Sequence, residues 1–138
     1  MLSQCAGAFA ASVALRFLFP QSATLGATIP AGSPTQSFVL EMILTALLMF
    51  VIVSVSTGAR EKGITAGIAV GAVIGLEALF AGPISGASMN PARSLAAAVI
   101  SGDTRMVWIY LVAPVLGALL AVPACICVRE NGCCSANG

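Results

Sequence analysis

The chain has 138 residues, 59% of them hydrophobic and only 8% charged, where a soluble domain carries about 25% charged residues. Its net charge is +1, it has no histidine, and its five acidic residues stand singly. That balance offers nothing to nucleic acid, removes histidine-based catalysis and leaves no carboxylate cluster for a metal.

The elements read in order as apolar segments with polar joints. Segment one, residues 1–18, is rich in alanine and sits at the short limit for a membrane span. Residues 19–37 form a connection punctuated by Pro20, Gly26, Pro30, Gly32 and Pro34. Segment two, Phe38 to Thr57, is a span that carries Glu41 and Thr45. A tight polar turn over 58–62 leads into segment three, Gly63 to Ala81. There Gly63, Gly67, Gly71 and Gly75 recur at every fourth position. On a helix these share one face, a smooth groove against which another helix can pack closely.

The stretch Gly82-Pro83-Ile84-Ser85-Gly86-Ala87-Ser88-Met89-Asn90-Pro91-Ala92-Arg93-Ser94 then breaks the apolar pattern. Asn90 followed by Pro91 reads as a helix start, because Asn caps free N–H groups and proline at the first position has none to lose. The short apolar run to Ile100 predicts a half-helix over 90–100. Its nine residues from Ala92 give roughly 14 Å at 1.5 Å per residue, too short to cross a hydrocarbon core of about 30 Å. Such a half-helix is tolerated at membrane depth where it is buried in protein or lines a wet cavity. Its N-terminus would turn free amides and the positive end of its dipole toward that cavity. Asn90 is therefore both a cap and a candidate donor to a passing solute. Arg93 lies about one turn further on, and a charge inside a membrane is costly enough to make a functional role its default reading. After the polar residues 101–105, Met106 to Val128 forms segment four, and 129–138 is a polar tail. Cys125, Cys127, Cys133 and Cys134 crowd the end of the chain, but C-x-C followed by C-C lacks the spacing of a zinc site.

Asn90-Pro91-Ala92 with Arg93-Ser94 behind and Ser85-Gly86-Ala87 ahead resembles the second signature loop of the aquaporin, or major intrinsic protein, family. Gln4-Cys5-Ala6-Gly7-Ala8 is similar to the early part of the family's third helix. The resemblance implies an all-α membrane protein of aquaporin-like fold, with four spans plus one re-entrant half-helix. Residues 1–18 would be the last helix of the first repeat, with a truncated start, and 38–128 the entire second inverted repeat. The first two spans and the first signature loop would be absent. Arg60, Lys62 and Arg129 would face the cytoplasm and Arg16, Arg93 and Arg105 the outside, a split on which the positive-inside rule decides little.

By the same resemblance Arg93 matches the arginine of the narrow selectivity filter. Ala78 and Ala87, twelve and three residues before Asn90, match two further filter positions. Water-selective members usually place a histidine at the first of these. Two alanines beside one fixed charge imply a wide, weakly polar opening suited to glycerol, urea or undissociated metalloid acids. Trp108 to Pro114 and Thr28-Ile29-Pro30 resemble the nodulin-like intrinsic proteins and their bacterial relatives. Tyr110 and Leu111 fall at a position tied to substrate class, and Ser94 and Ala98 are further pore-lining candidates. Leu95-Ala96-Ala97-Ala98 stands where the family usually has Gly-Pro after its leucine; Ala continues a helix better than Gly-Pro, so the half-helix is expected to run differently at its far end. Glu41 matches a carboxylate that accepts backbone N–H groups of the loop, and Glu77 is expected either to support the loop or to lie near the pore mouth.

The expected function is a passive channel for water and small neutral solutes, incomplete as given. It would be no enzyme, need no cofactor or metal, and sit as a multi-pass protein in the plasma (inner) membrane, as a homotetramer if full length. The alternative is a non-conducting fragment that needs a complementary half or a second copy. A thiol site for soft metals on the cysteine tail is a third reading.

Overall fold

A chain this apolar, placed in lipid, satisfies its backbone polar groups by forming helices. The computed structural model describes residues 2–57 and 64–128. Among them lie α1 (Leu2–Leu18), α2 (Pro34–Thr57), α3 (Ile64–Ser85), α4 (Pro91–Ser101) and α5 (Val107–Val128), with no strand. Helices α2, α3 and α5 are long and apolar enough to cross a membrane. With 17 residues, α1 reaches about 26 Å, just short of a full core. The turn 58–62, Gly63 and the tail 129–138, with Cys133 and Cys134, lie outside the described residues.

The helix ends differ from the sequence expectation in ways that local chemistry explains. Helix α2 starts at Pro34 rather than Phe38, because Ser33-Pro34 repeats the cap-then-proline pattern of Asn90-Pro91. The Ser37 N–H donates to the Ser33 carbonyl at 3.2 Å, closing the first turn. Helix α3 continues past Ala81 through Pro83 to Ser85. Proline clashes with the Cβ of the residue before it when that residue is helical, and Gly82 has no Cβ. Helix α4 ends at Ser101 because Gly102 takes a left-handed conformation (φ 87°) and its N–H bonds the Ala98 carbonyl.

Helix α2 is central, packed on α5 along one side and on α3 along another, while α4 lies between α1 and α5. Small residues bring the backbones together, as expected between helices in lipid. At Gly117 a Cβ would run into the Met42 carbonyl, with the Ala46 nitrogen and Thr45 Cβ both 3.0 Å away. Between α2 and α3 the buried contact is Leu44 against Ala81 and Ala87, with Leu40 and Met89 at its edge. Leu76, Leu79 and Phe80 on α3 and Leu119, Leu120 and Ile126 on α5 point outward, which suits a hydrocarbon surround. Gly67, Gly71 and Gly75 face open space within this chain.

Candidate functional site

The half-helix tip forms as its sequence dictates. Asn90 is extended (φ −143°, ψ 103°), and its Oδ1 accepts from the N–H groups of Ala92 at 3.0 Å and Arg93 at 3.3 Å. Both partners are donors, so the oxygen must face them, and the Nδ2 donors are turned away from the helix. The Ser94 N–H closes the turn on the Asn90 carbonyl at 3.2 Å.

Between α3 and α4 the chain folds back on itself through Gly86 (φ 90°), Ala87 (φ 40°) and Met89 (φ 49°). Left-handed backbone costs a non-glycine residue about 1–2 kcal/mol, so something must hold the loop. Glu41, fully buried on α2, does so. Its Oε1 accepts from the Ser85 hydroxyl at 2.7 Å and the Ser88 N–H at 2.9 Å, and its Oε2 from the Met89 N–H at 2.9 Å. Hydrogen bonds to a charged acceptor are each worth about 1.5–3 kcal/mol, enough to outweigh the backbone strain. The Ser85 hydroxyl also accepts from the Ala87 N–H at 3.2 Å.

The end of α3 is satisfied from elsewhere in the chain. The Tyr110 hydroxyl donates to the Ser85 carbonyl at 2.5 Å, the Ala31 N–H to the Ile84 carbonyl at 2.9 Å, and the Gly86 N–H to the Gly82 carbonyl at 2.9 Å. The far end of α4 is held likewise. Arg16, in the last turn of α1, donates to the Ile100 carbonyl at 2.7 Å, one of the four carbonyls a helix end leaves without an internal partner. Outside the spans, Arg105 grips Asp103 with Nε at 2.9 Å and a terminal nitrogen at 2.7 Å. These bonds lower the Asp103 carboxyl from 3.8 to about 2.

Four of the predicted residues converge. Ala78, Ala87, Asn90 and Arg93 line one open cavity of about 420 Å³, walled by Leu48 and Ile74. Arg93 is exposed and donates to the Ala87 carbonyl across a long 3.5 Å. Pro91 and Ala92 lie around the tip, against a separate space of about 110 Å³ shared with Leu111 and Cys5. Ser94 and Ala98 are buried on another side of α4, toward a third space of about 210 Å³ under Thr28 and Pro30.

Two further residues singled out in the sequence stand outside the lining of this cavity. Tyr110 is fully buried and does not reach the cavity; a buried phenol needs an acceptor, and the unpaired carbonyl at Ser85 supplies it. Glu77 makes no bond to the loop. Its two carboxylate oxygens are buried without a partner among the described residues, on the face of α3 that also carries Ala81 and Ser85. Of the tail cysteines, Cys125 is buried and Cys127 exposed on α5. Sequence reasoning missed Arg16 and Thr28. The signal for Arg16 was a lone cation in the last turn of a membrane helix, where it complements orphan carbonyls.

Comparison with known proteins identifies the family. The family profile described as Major intrinsic protein matches residues 1–124. Aquaporin NIP1-1 of Oryza sativa subsp. japonica is 53% identical over 118 residues, covering 85% of this chain and 42% of the relative. Aquaporin NIP3-1 of Arabidopsis thaliana is 59% identical over 92 residues, 67% of this chain and 28% of the relative. Nodulin-26 of Glycine max is 46% identical over 120 residues, 86% of this chain and 44% of the relative. The chain thus spans less than half the length of these curated relatives.

Proposed function

The chain belongs to the major intrinsic protein family, and from that premise we propose that it builds one half of a passive transmembrane channel for water and small neutral solutes. The observation that carries this reading is the shared cavity of Ala78, Ala87, Asn90 and Arg93 at the tip of a capped half-helix. Asn90 Nδ2 offers donors to a solute oxygen, and Arg93 offers a fixed positive charge. Together with the positive end of the helix dipole they repel protons and other cations while neutral molecules pass, as is understood of aquaporin-type pores in general. Two alanines in the same wall leave room for glycerol, urea or an undissociated metalloid acid. No reacting group is required, so the protein acts as a conduit and not as an enzyme. The proposed setting is the plasma membrane, as a homotetramer of complete subunits in which residues 38–128 supply the second repeat.

The test is stopped-flow light scattering on proteoliposomes. Ala78→Trp places an indole in the cavity and is expected to abolish glycerol flux while leaving water flux measurable. Unchanged glycerol flux would remove Ala78 from the filter.

A second reading is favoured by one observation. Ala78, Asn90 and Arg93 are exposed on the open side of the cavity, and polar groups left facing lipid are costly. On this reading the chain conducts nothing by itself and needs a complementary half or a second copy. Proteoliposomes holding this chain alone, with no more glycerol flux than empty vesicles, would select it.

A further inference from the structure

The connection between α1 and α2 is tied to the re-entrant loop, and one tie is a side chain. Thr28 is buried, and its hydroxyl lies 2.7 Å from that of Ser94. The Ser94 hydroxyl is 2.5 Å from that of Ser88, which donates to the Asn90 carbonyl at 3.0 Å. Each hydroxyl has one proton. A carbonyl can only accept, so Ser88 gives its proton to Asn90; Ser94 must then donate to Ser88, and Thr28 to Ser94. The three hydroxyls thus form a directed chain with Thr28 as its first donor. The same residue also fills the space over Gly86, where a Cβ would come within 2.9 Å of the Thr28 methyl.

This chain braces both polar residues of the cavity from behind. Ser94 directly follows Arg93, and Ser88 sits between Asn90 and Ala87, whose carbonyl accepts from Arg93. We propose that Thr28 is a positioning residue for the cavity: its hydroxyl fixes where Asn90 and Arg93 stand, and through them the discrimination between solutes by size. The selectivity half of this proposal rests on the channel reading above; the positional half does not.

Thr28→Val keeps the shape and removes the donor, leaving the buried Ser94 oxygen facing a methyl group, while Thr28→Ser keeps the donor. Amide hydrogen exchange followed by mass spectrometry reads the loop without any flux. In Thr28→Val the peptide covering 86–94 is expected to exchange roughly tenfold faster, as loss of one buried hydrogen bond implies. Exchange in α5 should stay unchanged, and Thr28→Ser should return the loop to the wild-type rate. In proteoliposomes the glycerol-to-water permeability ratio should change at least twofold in Thr28→Val and recover in Thr28→Ser. Unaltered exchange in Thr28→Val, or a Thr28→Ser variant as fast as Thr28→Val, would overturn the proposal. So would faster exchange with an unchanged permeability ratio, since Thr28 would then be a structural brace alone. A wild-type chain that carries neither solute by itself would overturn the selectivity half for this chain, while the exchange arm still decides whether Thr28 places the loop.

Discussion

At the scale of single residues, the two buried acids contrast. Glu41 accepts three hydrogen bonds and Glu77 none among the described residues. Glutamine at 41 offers one oxygen and two donors, so at least one of the Ser88 and Met89 N–H groups would meet another donor. Glu41→Gln is expected to cost about 2–3 kcal/mol, seen as a lower thermal midpoint by circular dichroism in detergent. Glu77→Gln breaks no bond and should leave that midpoint unchanged or raise it. A midpoint that falls equally in both would mean that the Glu41 bonds do not hold the loop. The sequence showed this level unevenly. The Asn90 cap was legible because its partners are two and three residues away. The links of Glu41, Thr28 and Arg16 join residues 44, 66 and 84 apart, and no local periodicity encodes such distances. Glu41 was marked in advance by the oddity of an acid in an apolar run and by resemblance to the family's loop-holding carboxylate. The Tyr110 bond is of the same kind, since nothing near it in sequence announces the Ser85 carbonyl.

At the scale of elements, glycine has opposite consequences on two helices. Gly117 is where α5 meets α2, and a Cβ would strike the Met42 backbone; Gly71 faces open space. Gly117→Ala is therefore expected to force the helices apart and destabilise by about 1–3 kcal/mol. Gly71→Ala should stabilise α3 by about 0.5–1 kcal/mol through the backbone entropy that alanine does not lose. Thermal midpoints of the two variants should move in opposite directions; a shared direction would refute the packing argument. The repeat of glycines was visible in the sequence, but which glycine touches a neighbour was not, because that depends on how the helices are rotated against each other. Helix existence was legible from apolar length, whereas helix starts and stops were not. The apolar run of α2 begins at Phe38, but the helix starts at Pro34; the break expected at Pro83 is absorbed by Gly82.

At the scale of the whole molecule, α5 fixes how the bundle sits in a membrane. Its 22 residues span about 33 Å, and Trp108, the single tryptophan of the chain, stands near its start. There it is half exposed, with its ring 5.7 Å from that of Phe38. Indole rings favour the boundary between headgroups and hydrocarbon. Trp108 fluorescence should accordingly be quenched more strongly by lipids brominated near the headgroup than by lipids brominated at the chain end, and the reverse order would refute this placement. The Glu41 clamp also has a consequence for the order of synthesis. Its donors lie 44 to 48 residues downstream, and a ribosome adding about 5–20 residues per second needs a few seconds to make them. Throughout that interval α2 is a membrane segment bearing an unmatched acid, at a cost on the order of 2.5–3.5 kcal/mol if it enters lipid at once. The clamp therefore favours integrating α2, α3 and residues 85–89 as one unit, and a chain that stops before Ser85 leaves the Glu41 carboxylate without these three partners in the membrane.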